Sequence, residues 1–284
     1  MAEILKGAPV AAAINEKTAV EVAQLRAEGI VPALAILRVG EGESNLAYER
    51  SAVKRCTELG IDVKSVVIPS GCSQEELICR IKALNEDKSV SGILMLRPLP
   101  DRLDEAAACE AVIAEKDVDG ITSGSMARAY SGRGWGFAPC TAQACMEILN
   151  YYNISPQGKR AAIIGRSLVI GRPVAMLLMA QNATVTICHT KTQNVSQICK
   201  ECDIIIAAAG VAESLGGENF RPGQTVIDVG VTWSEEKQKI VGDVLFSAAE
   251  PIVSAITPVP GGVGSVTAAV LAQHVVRAAR AANN

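Results

Sequence analysis

Ala161-Ala162-Ile163-Ile164-Gly165-Arg166-Ser167-Leu168-Val169-Ile170-Gly171-Arg172-Pro173 is the stretch on which the reading of this chain turns. Four small or aliphatic residues in a row suit a strand buried on both faces, as in a parallel sheet covered by helices. Gly165 permits a tight turn and close backbone approach. The helix pattern that follows offers free N–H groups and the positive end of a dipole. Together these features make a cradle for phosphate. The spacing departs from G-x-G-x-x-G, and glycines at 165 and 171 also suit an ordinary strand-to-helix turn. Their position between a strand and a helix favours the cradle, with Gly165, Arg166, Ser167, Gly171 and Pro173 as dinucleotide-binding residues.

The next aliphatic segment, Thr184 to Cys188, should end where an adenosine ribose lies. A carboxylate there would accept hydrogen bonds from the ribose hydroxyls and select NAD. The segment ends instead in His189-Thr190-Lys191. Thr190, Lys191 and Arg166 suit a 2′-phosphate, which favours NADP and leaves NAD open; Lys191 also suits a solvated surface. His189 takes no catalytic role.

Further strands are expected at Ile204–Ala207 and Val226–Val229, and a last helix from Val266 to about Ala282. Towards the N-terminus the same rhythm holds. A helix around Ile14, Val22 and Leu25 stops at Gly29, and a strand runs from Ala33 to Val39. A helix from about Asn45 to Leu59 stops at Gly60, a strand covers Val63 to Ile68, and Ser73 with Glu76 forms a capping box. Gly92–Met95 is the next buried strand. Alternation of this kind predicts an α/β fold with a mostly parallel sheet. Between Asp117 and Pro139 the pattern dissolves into Gly, Ser and Thr, as expected near a domain boundary, and a helix from about Thr141 to Tyr152 opens the second series.

The composition agrees. The chain has 284 residues, 49% of them hydrophobic and only 3% aromatic, enough for two domains with aliphatic cores. A net charge of -3 without runs of like charge attracts neither nucleic acid nor an anionic membrane. No apolar stretch reaches the length of a membrane span, and none reads as a signal peptide, so a cytoplasmic protein is expected. The nine cysteines form an odd, scattered set that suits free thiols in a reducing compartment. Cys199 and Cys202 lack the second ligand pair that zinc would need, so no metal is expected.

Several motifs then fall in one order: Lys116-Asp117-Val118-Asp119-Gly120, Pro139-Cys140-Thr141, the Gly165–Pro173 turn, and Thr257-Pro258-Val259-Pro260-Gly261-Gly262-Val263-Gly264. In that order the whole chain resembles the methylenetetrahydrofolate dehydrogenase/cyclohydrolase family, the bacterial FolD type. The resemblance implies a folate-binding α/β domain (residues 1–141 with the C-terminal helix 267–284), a Rossmann-type domain (142–266), a cleft between them and a homodimer. It implies tetrahydrofolate as substrate. Tyr48 would stack on the folate, Asp119 would hold the pterin, and Pro98, Leu99, Pro260, Gly261 and Gly262 would line the substrate site. Val263 and Gly264 would lie near the nicotinamide. Bland roles also suit these residues: a packed helix-surface aromatic, a turn cap, and turn glycines.

Two positions depart from the family. Its catalytic lysine lies four residues after the tyrosine, and here that residue is Ala52. Lys54 is two residues further on, about 200° around a helix, and so leaves on the opposite face. The family's V-Q-L-P-L-P reads Met95-Leu96-Arg97-Pro98-Leu99-Pro100, with Leu96 in place of the glutamine that partners the lysine. Hydride transfer from a methylene bridge needs no protein base, whereas hydrolysis of the methenyl product does. The expectation is a monofunctional dehydrogenase with cyclohydrolysis lost or weak, and a separate cyclohydrolase for the second step. The alternatives are a bifunctional enzyme with a relocated lysine, a binding protein without catalysis, and an unrelated Rossmann dehydrogenase of the shikimate type.

Overall fold

The computed structural model describes residues 1–283, side chains at 43–45 and 47 excepted. In chain order the first elements are β1 (Glu3–Ile4), α1 (Gly7–Ala27), β2 (Ala33–Val39), α2 (Glu43–Glu58), β3 (Asp62–Ile68) and α3 (Gln74–Glu86). Next come β4 (Gly92–Met95), α4 (Glu105–Ala111), α5 (Ser123–Ser131), α6 (Cys140–Tyr151), β5 (Arg160–Ile164), α7 (Gly171–Ala180) and β6 (Thr184–Cys188). The remainder are α8 (Val195–Lys200), β7 (Ile204–Ala207), β8 (Thr225–Asp228), β9 (Thr232–Ser234), β10 (Lys239–Val241), α9 (Phe246–Ala249), β11 (Ala255–Ile256) and α10 (Thr267–Ala281).

These elements fold into two compact units, one of Met1–Ala11 with Thr141–Thr267, the other of Ala12–Cys140 with the chain from Ala268 on. The first eleven residues therefore part from the domain assigned to residues 1–141. The cause is backbone pairing: Glu3 N donates to Ser254 O and Leu5 N to Ile256 O, both at 2.8 Å, which makes β1 an edge strand beside β11. A two-residue strand has no period by which sequence could announce it. The chain passes between the two units at 140/141 and again at 267/268.

In the first unit six strands run in the order β1-β11-β8-β7-β5-β6, every pair parallel. Ala162, Ile163, Ile205, Ile206, Val226 and Ile227 are fully buried, as strands covered on both faces must be. From β5 the chain passes to β6 on one side and then crosses to β7 on the other. The order of strands reverses at β5, leaving a crevice beyond its C-terminal end. Cys188, Cys199 and Cys202 are free thiols within this core.

The second unit has a three-stranded parallel sheet, β3-β2-β4, with β2 central and paired along its full length to β3. Leu34, Ala35, Ile36 and Leu37 are fully buried, and Arg38 is the exception in this run, charged yet only 8% exposed. Its Nε lies 2.8 Å from Glu49 Oε2 on α2, and the other Glu49 oxygen accepts from Ser65 Oγ on β3 at 2.8 Å. This paired charge fastens α2 across the sheet. The Ser73–Glu76 capping box is present in both directions, Glu76 N to Ser73 Oγ at 3.2 Å and Ser73 N to Glu76 Oε2 at 2.8 Å.

The stretch from 117 to 139 is more ordered than its composition predicts, for it contains α5. Gly and Ser are poor helix formers, and capping supports them here. Thr122 Oγ1 accepts from Ser125 N at 3.1 Å, and the buried Asp117 carboxylate accepts from Ile121 N and Thr122 N at 3.0 and 2.8 Å. Among the described residues no helix is long and apolar enough to cross a membrane, and no three His, Cys, Asp or Glu side chains gather as metal ligands.

Candidate active site

In the first unit the crevice beyond β5 opens into a cavity of about 490 Å³. Ser167 and Ile170 line one wall, Ala208, Ala209 and Gly210 the end of β7, and Val229 to Val231 the end of β8. Val263, Gly264 and Thr267 close it. Gly165 is required by contact: its φ is +132°, and a Cβ there would lie 2.0 Å from Ala208 O. Gly171 is equally confined, 2.3 Å from Gly165 O. The two glycines pack strand, turn and helix at backbone distance, and Pro173 sits buried in the first turn of α7. Ser167 Oγ accepts from Ile170 N at 3.1 Å and holds the turn's shape. Leu168 and Val169 at the turn's crown are exposed, as is Arg166.

At the end of β6, Thr190 and Lys191 are exposed, and His189 is tied into its own turn. His189 N donates to Thr192 Oγ1 at 2.9 Å, and Lys191 N donates to His189 Nδ1 at 3.1 Å, so the proton of a neutral ring resides on Nε2. No carboxylate follows this strand. An open crevice at the strand-order reversal, a glycine turn and basic side chains at the neighbouring strand end fit a dinucleotide with an added phosphate.

Two acids missed in the sequence shape the far wall. The Asp228 carboxylate accepts from Gly230 N, Asp243 N and Val244 N at 2.9, 3.0 and 2.9 Å. Burial nonetheless pushes its pKa up to about 6, with the backbone donors pulling it back. Asp243 Oδ2 accepts from Gly210 N at 2.9 Å, which ties the β7 and β8 loops together. An aspartate closing an aliphatic run, Val226-Ile227-Asp228, was the available signal. In the loop after β11, Gly262 is buried while Pro260 and Gly261 are exposed. A Cβ at Gly262 would meet Pro258 O at 2.5 Å, so the loop folds back on itself.

In the second unit Tyr48 stands on α2, one residue before the buried Glu49, with 38% of its surface exposed. Burial is the main force that raises its phenol above the ordinary range, aided by the Asp119 and Cys140 charges and opposed by Arg97. One turn further on, Ala52 is buried at 2% exposure. Lys54 points to solvent with 78% of its side chain exposed, 4.0 Å from Glu58, and Arg55 also faces Glu58 at 3.5 Å. Leu96 is buried at the end of β4. Pro98 is exposed, while Leu99 is buried and its N–H donates to Glu105 Oε2 at 2.9 Å.

Asp119 follows the residues that bridge to β4, with its side chain 20% exposed. Burial raises its pKa to about 6, Asp117 adds to the rise, and Arg97 and the Cys140 thiol lower it. The Arg97 guanidinium lies 4.0 Å from Asp119 Oδ2 and 3.6 Å from Glu105 Oε1. Beneath them, Cys140 Sγ sits 3.4 Å from Val118 O and 3.8 Å from His274 Nδ1, which itself lies 2.9 Å from Val118 O. His274 stacks on Phe137, and burial pushes its pKa down to about 4. Tyr48, Asp119, Pro98 and Leu99 thus share one unit, whereas Pro260, Gly261, Gly262 and the Gly165–Pro173 turn belong to the other. The second unit also has a recess of about 540 Å³ near Ala33, Asp62 and Ser91, at the N-terminal ends of its strands, the end opposite to where parallel sheets place their ligands.

Comparison with known proteins agrees with both halves. Residues 5–119 match the tetrahydrofolate dehydrogenase/cyclohydrolase catalytic domain, and residues 139–283 match that family's NAD(P)-binding domain. The bifunctional protein FolD of Carboxydothermus hydrogenoformans is 48% identical over 284 residues, covering 100% of this chain and 99% of that protein. The crystal structure of the Campylobacter jejuni bifunctional FolD methylenetetrahydrofolate dehydrogenase/cyclohydrolase superposes with a TM-score of 0.96 at 38% identity, covering 99% of each chain. The Trypanosoma brucei methylenetetrahydrofolate dehydrogenase-cyclohydrolase, complexed with NADP and an inhibitor, superposes with a TM-score of 0.92 at 33% identity, covering 100% of this chain and 99% of that one. With both domains matched in order and its length spanned, the chain belongs to the tetrahydrofolate dehydrogenase/cyclohydrolase family.

Proposed function

We propose that this protein is a 5,10-methylenetetrahydrofolate dehydrogenase that uses NADP+ and yields 5,10-methenyltetrahydrofolate, with the cyclohydrolase step lost or weak. The dehydrogenase part rests on the full-length likeness to enzymes so named. The cofactor reading rests on the open crevice, the missing acid after β6 and a relative bound to NADP. Gly165, Arg166, Ser167, Gly171 and Pro173 would seat the pyrophosphate, Thr190 and Lys191 the 2′-phosphate, and Val263 and Gly264 the nicotinamide end. Tyr48 would stack on the pterin, Asp119 would accept its N–H groups, and Pro98, Leu99, Pro260, Gly261 and Gly262 would line the substrate. A homodimer in a cytosolic setting, to which nine free thiols are suited, belongs to the same reading.

When bound, the nicotinamide supplies the hydride acceptor. The nitrogen lone pair beside the methylene carbon expels the hydride, and the cation that remains is delocalised over both nitrogens. The protein's task is alignment and exclusion of water, and no side chain has to take a proton. Hydrolysis differs, because water must lose protons as it attacks. The observation that carries the single-activity reading is the direction of Lys54: it leaves towards solvent and Glu58, while the inward positions hold the hydrocarbon of Ala52 and Leu96. Arg55 carries a guanidinium, which offers no lone pair to accept a proton and is no base. Raised as it is, the Tyr48 phenol stays protonated.

The names of the relatives are bifunctional, and they favour the alternative in which both steps survive. A pair of assays on purified protein decides. NADP+ reduction with methylenetetrahydrofolate should be robust, and methenyl hydrolysis should not exceed the spontaneous rate. Ala52→Lys with Leu96→Gln should raise hydrolysis by about a hundredfold or more, the usual return on a placed acid–base group. Robust hydrolysis in the unaltered protein that Lys54→Ala abolishes would establish the bifunctional reading instead. A separate cyclohydrolase would then have no step left to supply.

A further inference from the structure

We propose that Arg97 is a positioning residue of the pterin pocket, braced by Glu105 so that its guanidinium keeps the Asp119 carboxylate charged and aimed at the substrate; this rests on the reading of the pocket given above. Arg97 lies two residues beyond β4, in a chain that carries Ala52 one turn after Tyr48, and it places a cation at the C-terminal end of the sheet. The cation reaches two carboxylates on different elements, Glu105 Oε1 at 3.6 Å and Asp119 Oδ2 at 4.0 Å, with only a quarter of its side chain exposed. Glu105 is itself held. It stands in the first turn of α4, where the helix dipole favours an anion, and its second oxygen accepts from Leu99 N at 2.9 Å. The brace therefore ties the Arg97–Leu99 backbone, the start of α4 and the loop that carries Asp119 into one constellation.

What Arg97 works against is equally plain. Asp119 faces the like charge of Asp117 from its own loop, the Cys140 thiol from α6, and the Tyr48 phenol from α2. His274, on α10 behind Cys140, is neutral and supplies no compensating charge. Burial and Asp117 both favour the protonated acid, whose hydroxyl becomes a donor, so that it no longer meets a pair of pterin N–H donors with one accepting oxygen each. Among these described neighbours Arg97 supplies the cation. It cannot act as a base, so the guanidinium supplies positive charge beside Asp119 without supplying a proton carrier.

The test uses the full chain labelled with ¹³C at aspartate carboxyls, with Asp119→Asn identifying the resonance. Wild type should titrate near pH 6. Arg97→Gln should move the midpoint up by about one unit or more, the usual effect of removing a cation at this distance, and Arg97→Lys should keep most of the wild-type value. Tetrahydrofolate affinity should follow: a shift of one unit weakens binding at pH 6.5 by about threefold in Arg97→Gln and little at pH 9. An unmoved midpoint overturns the proposal, as does a moved midpoint with an unchanged pH profile of affinity. Should Arg97→Gln fail to fold, Glu105→Gln, which removes the brace and keeps the cation, must weaken affinity most at low pH or the proposal falls. A protein that binds tetrahydrofolate in this manner yet reduces no NADP+ sinks the dehydrogenase reading alone. Active enzyme with an Arg97-independent profile sinks this one alone.

Discussion

Asp119 is ionised at neutral pH at the expense of the fold that holds it. An ordinary aspartate titrates at 3.8, and burial raises this one to about 6. Below pH 4 both folded and unfolded chains carry the neutral acid, so the penalty is absent. It grows between pH 4 and 6 and is complete above 6, where it amounts to about 2 kcal/mol after allowance for partial exposure. Asp119→Asn should therefore raise the thermal midpoint of the ligand-free protein at pH 7.5, leave it nearly unchanged at pH 4, and weaken tetrahydrofolate binding. Melting curves at the two pH values check this, and an equal shift at both would show that charge is not the cause. At this scale the sequence was only partly legible. Helical periodicity alone sends Lys54 away from Ala52, because the argument needs only one helix. Arg97 escaped notice because residues 97, 105 and 119 converge only through the fold.

Elements were easier to read where local signals were strong. Each expected strand lies within a residue of an observed one; β2, β4, β5 and β7 are buried parallel strands written as nearly unbroken aliphatic runs, whereas β3 and β6 are partly exposed and read from their β-branched residues. The start of α3 is another such case, since Ser73 and Glu76 satisfy each other's backbone N–H groups without outside help. Ser73→Ala should cost about 1 kcal/mol in urea unfolding, and an unaltered midpoint would mean that the box is redundant there. β1 and β11, at two residues each, have no period to detect. The β9–β10 hairpin and α5 are short, and α5 contains Gly124 and three serines, so its existence depends on Thr122 and Asp117 rather than on propensity. Arg38 in β2 breaks an aliphatic run because Glu49 and Ser65 receive it, a pairing that joins three elements and is invisible along one.

Across the whole molecule, the first eleven residues have the longest reach. Residues 1–11 join the unit of the crevice beyond β5 through β1, and just beyond β1 Gly7 N donates to Gly261 O at 2.8 Å. Gly7 approaches the Pro258–Gly264 loop so closely that a Cβ would lie 2.1 Å from Gly262 O and 3.0 Å from Ser265 Cβ. Both obstacles sit in a loop already folded tightly upon Thr257, whose hydroxyl accepts from Asp228 N at 2.7 Å. The loop cannot yield towards Pro258, since Gly262 is pressed against that carbonyl as well. The displaced atoms would be Val263 and Gly264, which close the crevice wall. Gly7→Ala should thus lower kcat/KM for NADP+ by on the order of ten- to a hundredfold, the cost of an ångström-scale misplacement, through a residue distant in sequence from the phosphate turn. NADPH titration by fluorescence gives the same answer without turnover. If Gly7→Ala binds NADPH as tightly as the unaltered chain, the first turn of α1 is packing against the loop without setting its position.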